Sequence, residues 1–246
     1  YKRQISQGIS GLLCLFYLYK KFEIMRFQQG ECRLELNRCS RLLSIGLPMA
    51  LQFSITAIGS IILQTSVNSL GSLAVTSVTA AQKICAIVMG PLESLGITMA
   101  TFCGQNLGAG KYERIRKGIL TSILMGWVWC VLCVITSYTV VPAFVKMLIS
   151  SDNRNVIDTA TLYLRVDSLL YFVTAMITII RNSLQGIGDR LTPIISSGIE
   201  LAGKVVITFT LVPFMGYWGV IVSEPIVWVP VSYTHLRAHE TSAHLV

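Results

Sequence analysis

Apolar residues fall along this chain in long, almost uncharged blocks, at 42 to 66, 72 to 103, 118 to 149, 166 to 187 and 191 to 215. Each is long enough to cross a hydrocarbon layer ~30 Å thick, which takes about 20 apolar residues in a helix. Two shorter runs, 5 to 19 and 217 to 229, have the same character but stop early. The pattern predicts five complete membrane helices and two partial ones, an all-α, polytopic transmembrane bundle.

Composition agrees with a lipid solvent. Of 246 residues, 53% are hydrophobic and 13% charged, against about 25% charged in an ordinary soluble domain, and mean hydropathy is +0.64. The seven Cys (14, 32, 39, 85, 103, 130, 133) lie mostly in or beside apolar runs, as small buried hydrophobes do. The chain opens on Tyr1 without an initiator Met or a cleavable leader, so it is expected to start in mid-protein.

Charge supplies orientation. The segment from 20 to 41 holds Lys20, Lys21, Arg26, Arg33, Arg38 and Arg41; the next basic cluster is Lys111, Arg114, Arg116 and Lys117; a third is Arg181 with Arg190. The alternate loops differ: 67 to 71 and 213 to 217 have no Lys or Arg, and 146 to 158 offsets Lys146 and Arg154 with Asp152 and Asp158. Basic loops stay cytoplasmic, so the alternation predicts a serial bundle in the cell (cytoplasmic) membrane. The net charge of +8 is then orientation signal, spread over separate loops with no aromatic platform, and no nucleic-acid partner is expected.

The stretch "GQNLGAGKYERIRKG" at 104 to 118 ends one span and begins the next. Gly108 or Gly110 suits a left-handed helix end. A phosphate loop is excluded, because it needs Gly at 105 and Ser or Thr at 112, where the chain has Gln105 and Tyr112.

The final stretch, "VSYTHLRAHETSAHLV" at 231 to 246, breaks the pattern and carries all three His. One frame of a transposon-type sequencing adapter translates as VSYTHLRAHET, and the following segment ends His-Leu-Val in the same frame. Residues 231 to 246 are therefore expected to be adapter read-through, and Pro230 partly so. No zinc site is assigned to His235, His239 and His244, and no metal or cofactor is expected elsewhere.

Four stretches in order, "IGLPMALQFSITAIGSIILQTSVNSLGS" (45 to 72), "PLESLGITMATFCGQNLGAGKYERIRKG" (91 to 118), "RNSLQGIGD" (181 to 189) and "GYWGVIVSEPIVW" (216 to 228), resemble the multidrug and toxic compound extrusion (MATE) transporters. The resemblance covers nearly all of residues 1 to 229. It implies a protein of twelve helices in two six-helix lobes that exchanges Na⁺ or H⁺ for organic cations, of which this chain is the carboxy-terminal lobe, truncated at both ends. Residues 1–41 would then be the end of a helix plus a basic inter-lobe loop, and 42–230 the lobe with its last helix cut. The expected partners are a small organic substrate, the bilayer and a missing amino-terminal lobe. Gly104, Gln105, Asn106, Gly108 and Gly110 are the family motif, assigned a structural role.

Charged side chains inside a span cost roughly 2.5 to 3.5 kcal/mol on insertion scales and usually face a bundle interior or wet cavity. Those here are Lys83, Glu93, Asp167, Glu200, Lys204 and Glu224. Glu200 and Lys204 stand four apart, acid first, the favourable order for a helical ion pair; they either line the transport path or neutralise each other. Lys83 has no evident partner. Glu93, close after Pro91, is expected to cap freed backbone donors, and Asp167 and Glu224 to be interfacial. Gln52, Gln64 and Asn68 are polar enough to bond a substrate or a neighbouring helix. The substrate or coupling candidates are thus Gln52, Gln64, Lys83, Glu200 and Lys204. Some relatives carry acids in the first and fourth helices of this lobe, where this chain has Thr56 and Thr174, so any coupling acid is expected in the absent lobe. "CVLC" at 130 to 133 has redox spacing but lies in an apolar helix and is expected to be packing. The four Trp (127, 129, 218, 228) are expected to be interface anchors or lipid-facing bulk.

The function expected is secondary active export of organic, cationic compounds by alternating access in exchange for Na⁺ or H⁺. The alternative is a flippase for lipid-linked saccharides of the same superfamily, for which Lys83 and Lys204 are mild support. A membrane-embedded transferase ranks third, since no Asp-rich pair, His-Asp couple or activated nucleophile lies inside a span, and the chain is not expected to be an enzyme.

Overall fold

The computed structural model describes residues 2–23, 35–149 and 153–244, and every regular element among them is an α-helix. They are α1 (Lys2–Lys21), α2 (Leu36–Ser69), α3 (Ser72–Gly108), α4 (Tyr112–Thr139), α5 (Val141–Ile149), α6 (Arg154–Gly186), α7 (Leu191–Met215) and α8 (Tyr217–His244). The chain divides into two compact units, 1–44 and 45–246. In the first, α1 displays Leu12, Leu13, Leu15 and Phe16 and sets Lys20 over the Phe16 ring at 5.8 Å. Arg26, Arg33 and Cys32 lie outside the described residues.

Helices α2, α3, α4, α6 and α7 are each long and apolar enough to cross a membrane, and the chain is a multi-pass membrane bundle. Its surfaces are sorted for lipid. Phe214 is 91% exposed and Ile87, Leu120 and Phe209 also point outward, whereas Ser77, Ser168, Ser183, Ser196, Ser197 and Ser223 are buried. Helices in lipid gain little from burying apolar area against one another, so small residues that admit close approach occupy their contacts.

One expected span is two helices. The block from 118 to 149 breaks after Thr139, where Val140 caps α4 and donates to Thr136 at 2.9 Å, and α5 starts at Val141. Pro142 explains the break, since it has no N–H for the next rung and its ring collides with the preceding turn. At the other side of that loop, α6 begins well before residue 166, with the Asn153 side chain accepting from the Asn155 N–H at 3.2 Å.

Helix α6 is the hub of the second unit and packs against α3, α4, α5, α7 and α8. Its tightest approach is to α3. A Cβ on Gly186 would collide with the Ala100 backbone, and one on Gly104 would sit 3.1 Å from the Gly186 carbonyl oxygen. Both helices then close alike: Gly110 (φ 66) and Gly188 (φ 93) take the left-handed position, with Lys111 N–H donating to Asn106 O and Asp189 N–H to Leu184 O, each at 2.9 Å. This is the Schellman end in which the terminal carbonyls are satisfied by the turn. Of the two glycines considered for the α3 stop, Gly110 fills it. Asn106 also donates from Nδ2 to Phe102 O at 2.8 Å.

Backbone helix continues in α8 to His244; the side chains of His235, His239 and His244 lie outside the described set.

Candidate functional site

Ser196, Glu200 and Lys204 recur every fourth residue and share one face of α7, and all three are buried. That spacing is what lets a helix carry a polar stripe through an apolar bundle. Lys204, 3% exposed, places Nζ 3.1 Å from Glu200 Oε1 and 3.0 Å from Glu224 Oε1 on α8. From α6, Arg181 Nη2 approaches Glu200 Oε2 at 3.5 Å and donates to Ser196 Oγ at 3.4 Å. The result is an alternating row, Arg181, Glu200, Lys204, Glu224, that ties three helices together. Helix α2 touches it too, since a Cβ on Gly59 would lie 3.0 Å from the Lys204 Cδ.

A second polar group lies between α3 and α6. Asp167, 6% exposed, accepts from the Cys85 thiol (Sγ to Oδ2 3.5 Å), and Cys85 Sγ and Tyr171 OH are 3.3 Å apart. Asp167 stands thirteen residues from Arg154 and nineteen from Gly186, deep within the span. The expectation that it is interfacial is corrected by that depth. Glu224, half-buried near the start of α8, is paired with buried Lys204.

The remaining candidates scatter. Gln52, buried on α2, accepts from Gln185 Nε2 at 2.5 Å, beside a cavity of about 170 Å³ bounded by Pro48, Asp189 and Pro193. Gln64 donates to Asn68 Oδ1 at 3.1 Å along its own exposed helix edge. Lys83 is exposed on α3 with no ion pair among the described residues. Glu93 is exposed as well and caps nothing. Pro91 removes a donor and frees an acceptor, the Ile87 carbonyl, which a carboxylate cannot satisfy. Thr56 and Thr174 are half-buried, and Thr174 bonds its own helix at Leu170 O, 3.5 Å away.

Two Trp clamp helices together: half-buried Trp129 donates from Nε1 to Val88 O on α3 at 2.9 Å, and Trp127, on the exposed surface, donates from Nε1 to Phe172 O on α6 at 3.3 Å. Cys130 and Cys133 are buried free thiols packed with Leu92, Tyr171 and Ala175. No group of three or more His, Cys, Asp or Glu suited to a metal occurs among the described residues.

Sequence reasoning missed Arg181 and Cys85. Arg181 had been counted with the basic loops, and Cys85 with packing. A signal existed for the second group, since Tyr163, Asp167 and Tyr171 recur every fourth residue; nothing local points from Arg181 to Glu200.

Residues 48–210 match the MatE family model. The chain belongs to the MatE family of transporters. The MatE chain is 26% identical over 227 residues to the Bacillus subtilis protein named "Probable multidrug resistance protein YoeA", covering 89% of the chain and 49% of that relative. It is 30% identical over 119 residues to "Probable multidrug resistance protein YpnP" of the same organism, covering 47% and 25%. It thus spans about half the length of the first relative and a quarter of the second. In fold it matches a MATE transporter crystallised with MaL6 (TM-score 0.85, 15% identity, 98% of this chain and 55% of that one). The MATE multidrug transporter DinF-BH, solved as a complex, matches with TM-score 0.72 at 21% identity, over 88% and 49%.

Proposed function

We propose that this chain is one lobe of a cation-antiport exporter of organic, cationic compounds in the cytoplasmic membrane. The family is one of transporters, and two relatives are named for multidrug resistance. The observation that carries the finer reading is the buried row Arg181, Glu200, Lys204, Glu224. Ionisable side chains kept inside a membrane bundle are expensive and mark substrate or ion pathways by default. A bundle needing only rigid packing would place serine or glycine there, as the α3–α6 contact does. The row joins α6, α7 and α8 through side chains that can exchange partners, so the helices can shift without stranding a charge in lipid.

The test is dye export by the full-length transporter that contains this chain, expressed in cells lacking their own efflux pumps. Lowered steady-state ethidium is expected, and it rises when the membrane ion gradient is collapsed. Unchanged accumulation of every cationic dye tried, with the protein confirmed in the membrane, overturns the reading.

A further inference from the structure

The charged groups around α7 do not balance. Glu200 is served by Arg181 and Lys204, and Glu224 by Lys204. Asp167 lies within electrostatic reach of Glu224, so the ensemble comprises two cations and three carboxyls. The carboxyl left over is Asp167, whose hydrogen-bond partner among the described residues is the neutral Cys85 thiol, itself in contact with the Tyr171 hydroxyl.

The other ionisable neighbours do not change this. From α3, Cys85 faces Asp167, while Lys83 lies on the exposed side. From α6 itself come Tyr163 and Tyr171, with Arg165 turned away to stack on Tyr138 of α4 at 5.3 Å. From α8 come Glu224 and Tyr217, and α7 contributes only through Lys204 and Glu200. On α5, Lys146 is exposed.

We propose that Asp167 is the exchange point of this lobe for a single proton, taken from water on one side of the membrane and given to water on the other. The proposal rests on the antiport reading above and names its coupling ion and its acceptor. An unpaired carboxylate is costly in a low-dielectric interior, and such a group neutralises instead of staying charged. While the bundle encloses Asp167, an O–H bond on its carboxyl removes the one excess negative charge. When helix movement wets the site, that bond breaks and the proton passes to water, with the Cys85 thiol donating to the carboxylate left behind. Sodium fits less well, because hard cations take a shell of oxygen ligands and one member of this group is a thiol sulfur. The neighbouring row adds a route for the signal. Glu224 is within electrostatic reach of Asp167 and is paired with Lys204, so the charge on Asp167 acts on the carboxylate that ties α8 to α7. Thr56 and Thr174 have no acidic proton to exchange, so the proposal puts an exchange site in this lobe two helical turns from Thr174, beside the acid expected in the absent lobe.

The experiment uses the full-length transporter in proteoliposomes, as wild type, Asp167→Asn and Asp167→Glu. A pH gradient with no sodium present should drive dye accumulation by the wild type, be ineffective with Asp167→Asn, and work again with Asp167→Glu, while dye affinity stays within twofold in all three. Wild-type transport that ignores the pH gradient and needs sodium sinks the antiport-by-proton assignment at its root. Gradient-driven transport retained by Asp167→Asn sinks the residue assignment while leaving the antiport reading intact. Should Asp167→Asn fail to fold, pH-difference infrared spectra of wild type and Asp167→Glu decide: a protonated-carboxyl band that shifts between the two supports Asp167, and an identical band, or none, overturns it.

Discussion

Helix α6 meets α3 and α7 in opposite ways. Against α3 it lies backbone to backbone, with Gly186 over Ala100 and Gly104 over the Gly186 carbonyl, and apolar clusters such as Met99, Cys103 and Ile179 fill the seam. Against α7 the contact is made by side chains, and Arg181 reaches across to Glu200 and Ser196. The first contact depends on shape, has one solution and tolerates no added atom. The second depends on charge and length, and long side chains can follow a moving partner. Within one helix, then, a fixed face and an adaptable face stand side by side, which is what a lobe needs if it is to stay intact while its polar interior opens.

The strongest way to break this comparison is Lys204→Met. It leaves Glu200 with only Arg181 and Glu224 with no cation among its described partners, and breaking a buried pair costs about 3 to 5 kcal/mol. Unfolding in detergent should show that loss, and the triple variant with Glu200→Gln and Glu224→Gln should recover most of it. If the triple is no better than the single, the row is not acting through charge.

Gly186→Ala probes the fixed face. Alanine is the better helix former by about 1 kcal/mol, yet here its Cβ meets backbone that cannot rotate away, and overpacking costs about 1 to 3 kcal/mol. A lowered melting temperature is expected, whereas Gly198→Ala inside α7, where nothing beyond its own helix turn lies within 4 Å of the new Cβ, should raise it slightly. Equal effects at the two positions would remove the claim that shape governs this contact.

The smallest effect is expected at Gln52→Ala. It removes the bond to Gln185 and should cost about 1 kcal/mol. Amide exchange should quicken in α2 around residue 52 and stay unchanged in α3, which keeps its glycine contacts.

Much of the bundle was legible in the residues alone. Lipid is a solvent that forces each crossing segment to satisfy its own backbone, so length and hydropathy locate α2, α3, α4, α6 and α7. Gly110 and Gly188 mark helix ends because few other residues take their backbone angles. The break at Pro142 was equally local but hidden by the apolar residues around it.

What only the tertiary structure decided is which side of each helix faces which neighbour. In α6 and α7 apolar residues run all round the circumference, so no stripe in the sequence reveals the rotation of the helix about its axis. Glu200 and Lys204 are neighbours by spacing, but Glu224 and Arg181 join them only because α8 and α6 pack beside α7, and Cys85 comes to Asp167 from 82 positions away. Sequence proximity sets contacts along one rod. The partner of a buried charge is set by how the rods are turned, and that depends on glycines and serines whose effect appears only once two helices touch.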